Sequence, residues 1–113
     1  MPSRPCASVY TGVYYRVRFS WDARKSEANL AQRGFDFAFA SLVFDGPTLE
    51  RVDDRAGYGE SRIIAIGLAD GFHLTVVFTD RPGPRDTIRR IISARRSNRR
   101  ERRAYDEAYH EEA

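Results

Sequence analysis

The sequence predicts an α+β domain with the element order β-α-α-β-β-β-β-α. Helical periodicity with capping residues in the first third of the chain predicts two helices. Apolar residues then recur with a period of two, which indicates strands, and the short turns between those strands make neighbours antiparallel. Because helices must cover the apolar face of such a sheet, we expect the two N-terminal helices to pack on a mostly antiparallel, twisted sheet of four to five strands, with a further helix at the C-terminus.

The length and composition fit one domain. A chain of 113 residues with a hydrophobic fraction of 42% is large enough to bury a core. Residues 1–13 contain proline, serine and glycine and predict a loose N-terminal extension, so residues 14–113 form the domain. Since no long apolar run or leader pattern is present, we expect a cytoplasmic protein that contacts no membrane.

The first half of the domain predicts one strand and two helices. Residues 14–21 alternate between apolar and polar side chains, which is typical of a strand with one buried face. Asp22 is a favourable N-cap and Gly34 a favourable C-terminal stop for a helix over residues 23–33. Asp36 can cap a second, short helix. The predicted apolar face of the first helix consists of Ala28, Leu30 and Ala31.

The second half predicts four strands and a terminal helix. The strands lie near residues 48–53, 60–68, 72–79 and 87–94. They are connected by a loop over 54–59, a hairpin turn at Asp70-Gly71 and a turn over 81–84. The helix begins at Ser97 or Asn98 and ends near Tyr109. Glu101 follows Asn98 by three residues and can complete a capping box.

Basic residues are concentrated near the C-terminus. Residues 81–103 contain ten arginines and two acidic residues, whereas the net charge of the whole chain is only +3. Such a local excess is typical of a surface that binds a polyanion or an acidic partner. Arginine also matches phosphate oxygens in a bidentate geometry, which lysine does not.

Two adjacent arginines, Arg89 and Arg90, lie in the middle of a predicted strand. Since adjacent strand residues face opposite sides, one arginine points with Ile88 and Ile92, unless a bulge intervenes. The other then points with Ile91, Ser93 and Arg95. A charged side chain is costly in a sheet unless it is paired or exposed, so a water-exposed face would carry an arginine on a rigid support.

No motif indicates nucleophilic, phosphate-loop or metal chemistry. Cys6 is the single cysteine, and His73 and His110 are the two histidines. His73 alternates within a strand and His110 lies in an acidic tail, so ordinary structural or surface roles are expected for both. We therefore expect neither a metal ion nor a cofactor.

A series of short segments resembles the BrnT family of toxins of type II toxin–antitoxin systems. Trp21-Asp22-Ala23-Arg24-Lys25, with Asn29 four residues on, is similar to the family's WDxxKxxxN. The other similar segments, in order, are 34–37, 43–47, 54–55, 58–62, Gly67, 90–95 and 101–105. Together they extend over roughly residues 16–106, nearly the whole chain.

The resemblance implies a RelE-like fold and RNA cleavage that inhibits translation. It also implies a BrnA-like antitoxin in an assembly of two toxins and two antitoxins, with operator DNA contacted only through the antitoxin. One departure concerns the residues before the second helix, where the family usually has Lys-His-Gly and this sequence has Gln32-Arg33-Gly34. No mechanism that uses that histidine as acid or base applies to this chain.

Cleavage without a metal requires positively charged donors that stabilise the negative charge developing at phosphorus. It also requires one group that accepts a proton from the nucleophile and another that donates a proton to the leaving group. The predicted catalytic residues are Lys25, Glu60, Arg62, Arg90 and Arg95, with Lys25 or Glu60 as the general base. The predicted RNA-binding residues are Arg55, Tyr58, Arg89, Arg96 and Arg99, since a tyrosine can stack on a base. The predicted antitoxin-binding residues are Arg100 and Arg103.

Two other functions account for the basic segment. The first is a non-catalytic nucleic-acid-binding module, whose affinity would depend strongly on salt without strand scission. The second is an interaction protein whose arginine-rich helix binds an acidic partner and whose ancestral activity is lost. Retained binding of an antitoxin, with no toxicity once it is removed, would indicate the second.

Overall fold

The computed structural model describes residues 9–10, 13–14, 16–53 and 61–109. The strands in this part of the chain are β1 (Val9–Tyr10), β2 (Val13–Tyr14), β3 (Val17–Trp21), β4 (Leu49–Asp53), β5 (Arg62–Ala69), β6 (Phe72–Pro82) and β7 (Thr87–Arg96). The helices are α1 (Ala23–Arg33), α2 (Phe37–Ala40), which continues as a 3-10 helix over Ser41–Asp45, and α3 (Arg99–Ala108). From β3 onward the order is the predicted one.

Five of the described strands form one sheet in the order β3-β7-β6-β5-β4. The pairs β4–β5, β5–β6 and β6–β7 are antiparallel, whereas β3 pairs parallel with β7. The prediction of a mostly antiparallel sheet with three helices is therefore confirmed. β3 and β4 lie at opposite edges of this sheet, and α1 and α2 connect them across one side.

The strands β1 and β2 form a separate antiparallel pair. β1 lies within residues 1–13, for which the sequence predicts a loose extension. β2 overlaps the start of the strand predicted over 14–21, which begins at Val17 in the five-stranded sheet.

Local capping signals set the ends of α1. The Asp22 carboxylate accepts a hydrogen bond from the Arg24 backbone N–H at 2.8 Å, and Gly34 ends the helix with φ of 89°. The predicted apolar face of α1 is wrong, because the helix buries Ser26 and Asn29 and leaves Leu30 exposed. The Asn29 side chain donates to the Phe35 carbonyl, and the Ser26 hydroxyl accepts from the backbone N–H of Phe37, the first residue of α2, so both buried side chains are satisfied.

The hydrophobic core lies between one face of the sheet and the layer formed by α1, α2 and the 3-10 helix. We call the sheet face that packs against this layer the covered face. Fully buried members of the core include Phe37, Val43, Leu74, Val76 and Phe78. Close packing of the two layers requires a small residue at one position of β5, Gly67, because a Cβ there would lie 2.9 Å from the Val43 Cβ.

The opposite side, which we call the open face, is contacted by α3 at one end only. Thr75 and Ile66 lie on this face, since their neighbours Leu74 and Ala65 are in the core. The Glu101 side chain on α3 accepts a hydrogen bond from Thr75, and the Tyr105 hydroxyl donates to the Pro47 carbonyl. The C-terminal helix therefore rests on the sheet surface that the other helices do not cover.

A β-bulge in β7 changes the alternation of that strand. Val77 lies opposite Ser93 and Phe78 opposite Ile91, so Ile92 is an extra residue with no partner of its own on β6. In a strand without a bulge, Arg89 would lie on the same face as Ser93 and Arg95. The bulge instead puts Arg90, Ser93 and Arg95 on the open face.

Candidate active site on the open sheet face

Three of the predicted catalytic residues, Arg62, Arg90 and Arg95, lie on the open face. Arg90 pairs with Thr79 across β6–β7, and Arg95 pairs with Thr75 further along the same two strands. Arg62 precedes Ile63, whose partner Phe78 faces the core, so Arg62 lies on the open side in the row of Thr79. Strands two apart are separated by about 10 Å, which places the Arg62 and Arg90 backbones that distance apart.

Arg90 is half-buried in the middle of this face. Ser20 on β3 lies beside it on one side and Thr79 on β6 on the other. Among the described residues, no carboxylate forms an ion pair with Arg90. An arginine on a strand between two neighbouring strands, with its charge uncompensated by the described acids, is suited to binding an anion.

Arg62 begins β5 beside an acidic residue of the edge strand. Asp53 lies directly opposite Arg62 in the β4–β5 pair and is only 5% exposed. Opposite charges in directly opposed positions stabilise strand pairing. The Thr79 hydroxyl donates to the carbonyl of Ser61, the residue before Arg62, at 2.7 Å, which fixes the start of β5.

Arg95 is held by α3. Its Nη1 and Nη2 donate to the two Glu101 carboxylate oxygens at 2.8 and 2.7 Å. The hydrogen bonds from Arg95 lower the pKa of Glu101 to about 2, and they raise the pKa of Arg95. The predicted capping box is confirmed, because Glu101 also accepts from the Asn98 backbone N–H. Arg95 is thus a positioned guanidinium whose charge Glu101 partly compensates.

A cleft of about 490 Å³ lies between α3 and strands β4 and β5. Its floor is apolar, with Ile64 and Ile66, and its charged lining consists of three arginines and two glutamates: Arg51, Arg95, Arg100, Glu50 and Glu101. Arg51 is not among the site residues that the sequence predicts. Arg51 lies two residues from Leu49 in a predicted strand, and this spacing predicts that the two side chains share a face.

Two predicted RNA-binding arginines lie on the covered face instead. Arg89 donates to both Asp80 carboxylate oxygens at 2.8 Å, and its guanidinium lies 4.2 Å from the Phe78 ring centroid. Only 16% of the Arg89 side chain is exposed. The Arg96 guanidinium lies 5.3 Å from the Phe72 ring centroid, on the same face as Leu74 of the core. The structure therefore does not bring either arginine together with Arg90.

The remaining predicted residues are divided between the helices and the undescribed parts of the chain. Lys25 is exposed in the first turn of α1, in the helix layer, and not beside Arg90 on the sheet. Arg99, Arg100 and Arg103 are exposed on α3. The residues Arg55, Tyr58, Glu60 and His110 lie outside the described residues.

His73 contacts two residues of α3. Its Nε2 is 2.9 Å from the Asp106 carboxylate, and its ring packs edge-on against Tyr105.

Within residues 16–53 and 61–109, no group of three or more histidine, cysteine or acidic side chains is arranged to hold a metal ion. The described helices include none that is long and apolar enough to cross a membrane.

The amino-acid sequence matches a family model described as the ribonuclease toxin BrnT of type II toxin–antitoxin systems. The match extends over residues 21–101, from the last residue of β3 to the first turn of α3. No curated protein matches the chain. The matched range therefore includes Arg62, Arg90 and Arg95 and the glutamate that contacts Arg95.

Proposed function

Because the chain belongs to the BrnT family of ribonuclease toxins of type II toxin–antitoxin systems, we propose that it cleaves RNA on the open sheet face. Arg90 and Arg62 bind the scissile phosphate in this proposal, and Arg95, which is paired with Glu101, contributes a third guanidinium as a hydrogen-bond donor. The observation that carries it is Arg90, a half-buried residue of β7 whose guanidinium has no acidic partner among the described residues.

The proposed reaction is an internal displacement at phosphorus. The ribose 2′-oxygen attacks the adjacent phosphorus, its proton passes to a general base, and the bond from phosphorus to the 5′-oxygen breaks. A proton donor then completes the 5′-hydroxyl, which leaves a 2′,3′-cyclic phosphate. Arginines stabilise the extra negative charge in the transition state, and a donor of this kind typically contributes roughly 10²–10³ in rate.

Of the two predicted general bases we infer Glu60, which directly precedes Ser61 and the start of β5 in the sequence. Lys25 is the alternative, but it is exposed in the helix layer and not beside Arg90. A base contributes roughly 10²–10⁴ to such a reaction. Since arginines compensate the phosphorane charge, we expect cleavage without a metal ion and in the presence of EDTA.

The RNA strand on either side of the scissile bond follows the cleft between α3 and strands β4 and β5, where three arginines stand against two glutamates. Arg51 and Arg100 line it together with apolar side chains that a base can cover. Arg99 is exposed nearby, at the start of α3. Arg55 and Tyr58 follow Asp53 in the sequence and are proposed to contact phosphate and to stack on a base, respectively.

A protein antitoxin is implied by the family. We infer a BrnA-like antitoxin that binds Arg100 and Arg103 on α3 in an assembly of two toxins and two antitoxins. The toxin would act on RNA in the cytoplasm and inhibit translation, while operator DNA is bound through the antitoxin. A partner at α3 is well placed to block RNA, because α3 forms one wall of the cleft.

The test is Arg90→Ala, with Arg85→Ala as a matched control. Arg85 is exposed in the turn after β6. We expect wild type and Arg85→Ala to arrest growth when induced alone, whereas Arg90→Ala does not. The purified variant should cleave RNA roughly 10²–10³ times more slowly.

Circular dichroism and thermal unfolding must show that Arg90→Ala is folded. A folded Arg90→Ala that cleaves at the wild-type rate would overturn the proposed site. Salt-dependent RNA binding by wild type without any strand scission would instead indicate a non-catalytic RNA-binding module.

A further inference from the structure

A second surface lies on the covered side of the sheet, where α1 and α2 do not reach the ends of β6 and β7. It is a groove of about 410 Å³ between Leu30 on α1, Phe39 on α2 and Phe72 on β6. We call it the α1–β6 groove. Leu30 is 51% and Phe72 48% exposed, so two large apolar side chains face water at its rim. Covering them would stabilise a complex through apolar burial.

The groove is positively charged at its edge. Arg33 is fixed there by hydrogen bonds to the Ala94 carbonyl at 2.8 Å and to the Asn29 side chain at 3.2 Å. Arg96 lies over the Phe72 ring. In the described chain, neither arginine forms an ion pair, and Asp36, the acidic residue of the groove, caps α2 through the Phe39 backbone N–H.

The groove continues towards α3. Phe72 and Arg96 also line a smaller depression of about 240 Å³ with Ser97 and Arg102, at the end of the sheet. Arg102 is fixed there by a hydrogen bond to the Ser97 carbonyl. A bound chain can therefore pass from the groove around the end of β6 and β7 to the exposed arginines of α3.

We propose that the α1–β6 groove binds an acidic, amphipathic segment of the protein antitoxin. An apolar side chain of that segment packs between Leu30, Phe39 and Phe72, and neighbouring carboxylates pair with Arg33 and Arg96. The proposal rests on the function proposed above, because it takes the antitoxin as the occupant. RNA is the weaker candidate, since the arginines proposed for phosphate binding lie on the other side of the sheet.

The two surfaces have separate roles in this scheme. Arg90 lies on the open face, whereas the groove lies on the covered face, so a segment in the groove anchors the antitoxin without touching the phosphate site. Inhibition requires that the antitoxin continue to α3. Substitutions in the groove should therefore affect neutralisation and leave RNA cleavage unchanged.

The test uses Leu30→Glu and Leu30→Lys, which remove the same exposed apolar side chain and add opposite charges. The probe is the purified product of the open reading frame adjacent to the toxin gene. We expect Kd to rise at least about tenfold for Leu30→Glu and less for Leu30→Lys, because an acidic segment is repelled by glutamate. Both variants should arrest growth like wild type when induced alone, and Leu30→Glu should escape neutralisation.

The control is Val52→Ser, which removes a 63% exposed apolar side chain from the edge strand β4. Its Kd for the antitoxin should equal that of wild type. Unchanged Kd for both Leu30 variants, with normal neutralisation, would overturn the groove proposal and leave the ribonuclease proposal intact. Loss of RNA affinity at unchanged antitoxin affinity would overturn it in favour of RNA. A wild-type chain that neither arrests growth nor cleaves RNA would contradict the proposed function. The Kd values of wild type and the variants for the antitoxin would still test whether the antitoxin binds in the groove.

Discussion

Adjacent arginines on β7 have opposite environments. Arg89 is bound to Asp80 and stacked on aromatic rings of the covered face, whereas Arg90 lies on the open face without an acidic partner in the described chain. The sequence predicts that the two face opposite sides, which is confirmed. It does not predict which one joins Arg95, because that depends on the bulge at Ile92 and no local pattern marks it.

We expect Arg89→Ala to lower the free energy of unfolding by about 1.5–3 kcal/mol. The substitution removes two hydrogen bonds between charged groups and leaves Asp80 unpaired by Arg89. Urea unfolding measures the change, and Arg89→Lys should recover part of it, because lysine keeps the charge but not the bidentate geometry. Cleavage by the folded Arg89→Ala protein should stay near wild type. Unchanged stability together with lost cleavage would show that Arg89 acts on RNA, as the sequence predicts.

Among the elements, those with strong local signals are predicted best. The ends of α1 and the start of α3 follow from Asp22, Gly34 and the Asn98–Glu101 capping box, and the structure contains all of them. The buried face of α1 does not follow from hydrophobicity. Ser26 and Asn29 are buried because they satisfy backbone groups around Phe35 and Phe37, which depends on tertiary packing.

The attachment of α3 to the sheet should depend on pH through Glu101. Its pKa in the folded protein is about 2, below the ordinary value of 4.5, chiefly because Arg95 donates hydrogen bonds to it. A lowered pKa stabilises the fold above the ordinary value, and the contribution is lost as the pH falls through about 2. We expect Glu101→Gln to lower the free energy of unfolding by about 1–2 kcal/mol near neutral pH, since solvent screens the exposed part of Arg95.

Urea unfolding of wild type and Glu101→Gln between pH 7 and pH 2 checks this dependence. The difference in stability should be constant above pH 5, decrease below the ordinary pKa of 4.5 and approach zero near 2. Glu107→Gln, an exposed position on the same helix, is the control and should show no such difference. A difference for Glu101→Gln that persists at pH 2 would contradict the assigned ion pair.

In the whole molecule, the position of the candidate site is a consequence of sheet order. The sequence predicts the number and type of elements, but the parallel pairing of β3 with β7 brings Ser20 beside Arg90 over a long sequence separation. Arg51 and Arg100 likewise meet in one cleft only after α3 has folded onto β4 and β5. Such contacts are set by the packing of layers, which a single sequence does not display.

The packing of those layers makes a prediction for Gly67. A Cβ at this position would lie 2.9 Å from the Val43 Cβ, 3.1 Å from the Thr48 Cγ2 and 3.2 Å from the Val43 carbonyl oxygen. Because backbone is among these atoms, the 3-10 helix must move for an alanine to fit. Overpacking of this kind costs about 1–3 kcal/mol, so we expect Gly67→Ala to lower the free energy of unfolding by that amount. Gly46→Ala is the control, because a Cβ at Gly46 has nothing within 4 Å. Thermal unfolding of the two variants measures this difference. Equal unfolding midpoints would mean that the helix layer and the sheet are packed less closely than the structure indicates. The sheet that supports the open face would then be less rigid than arginine-based catalysis requires.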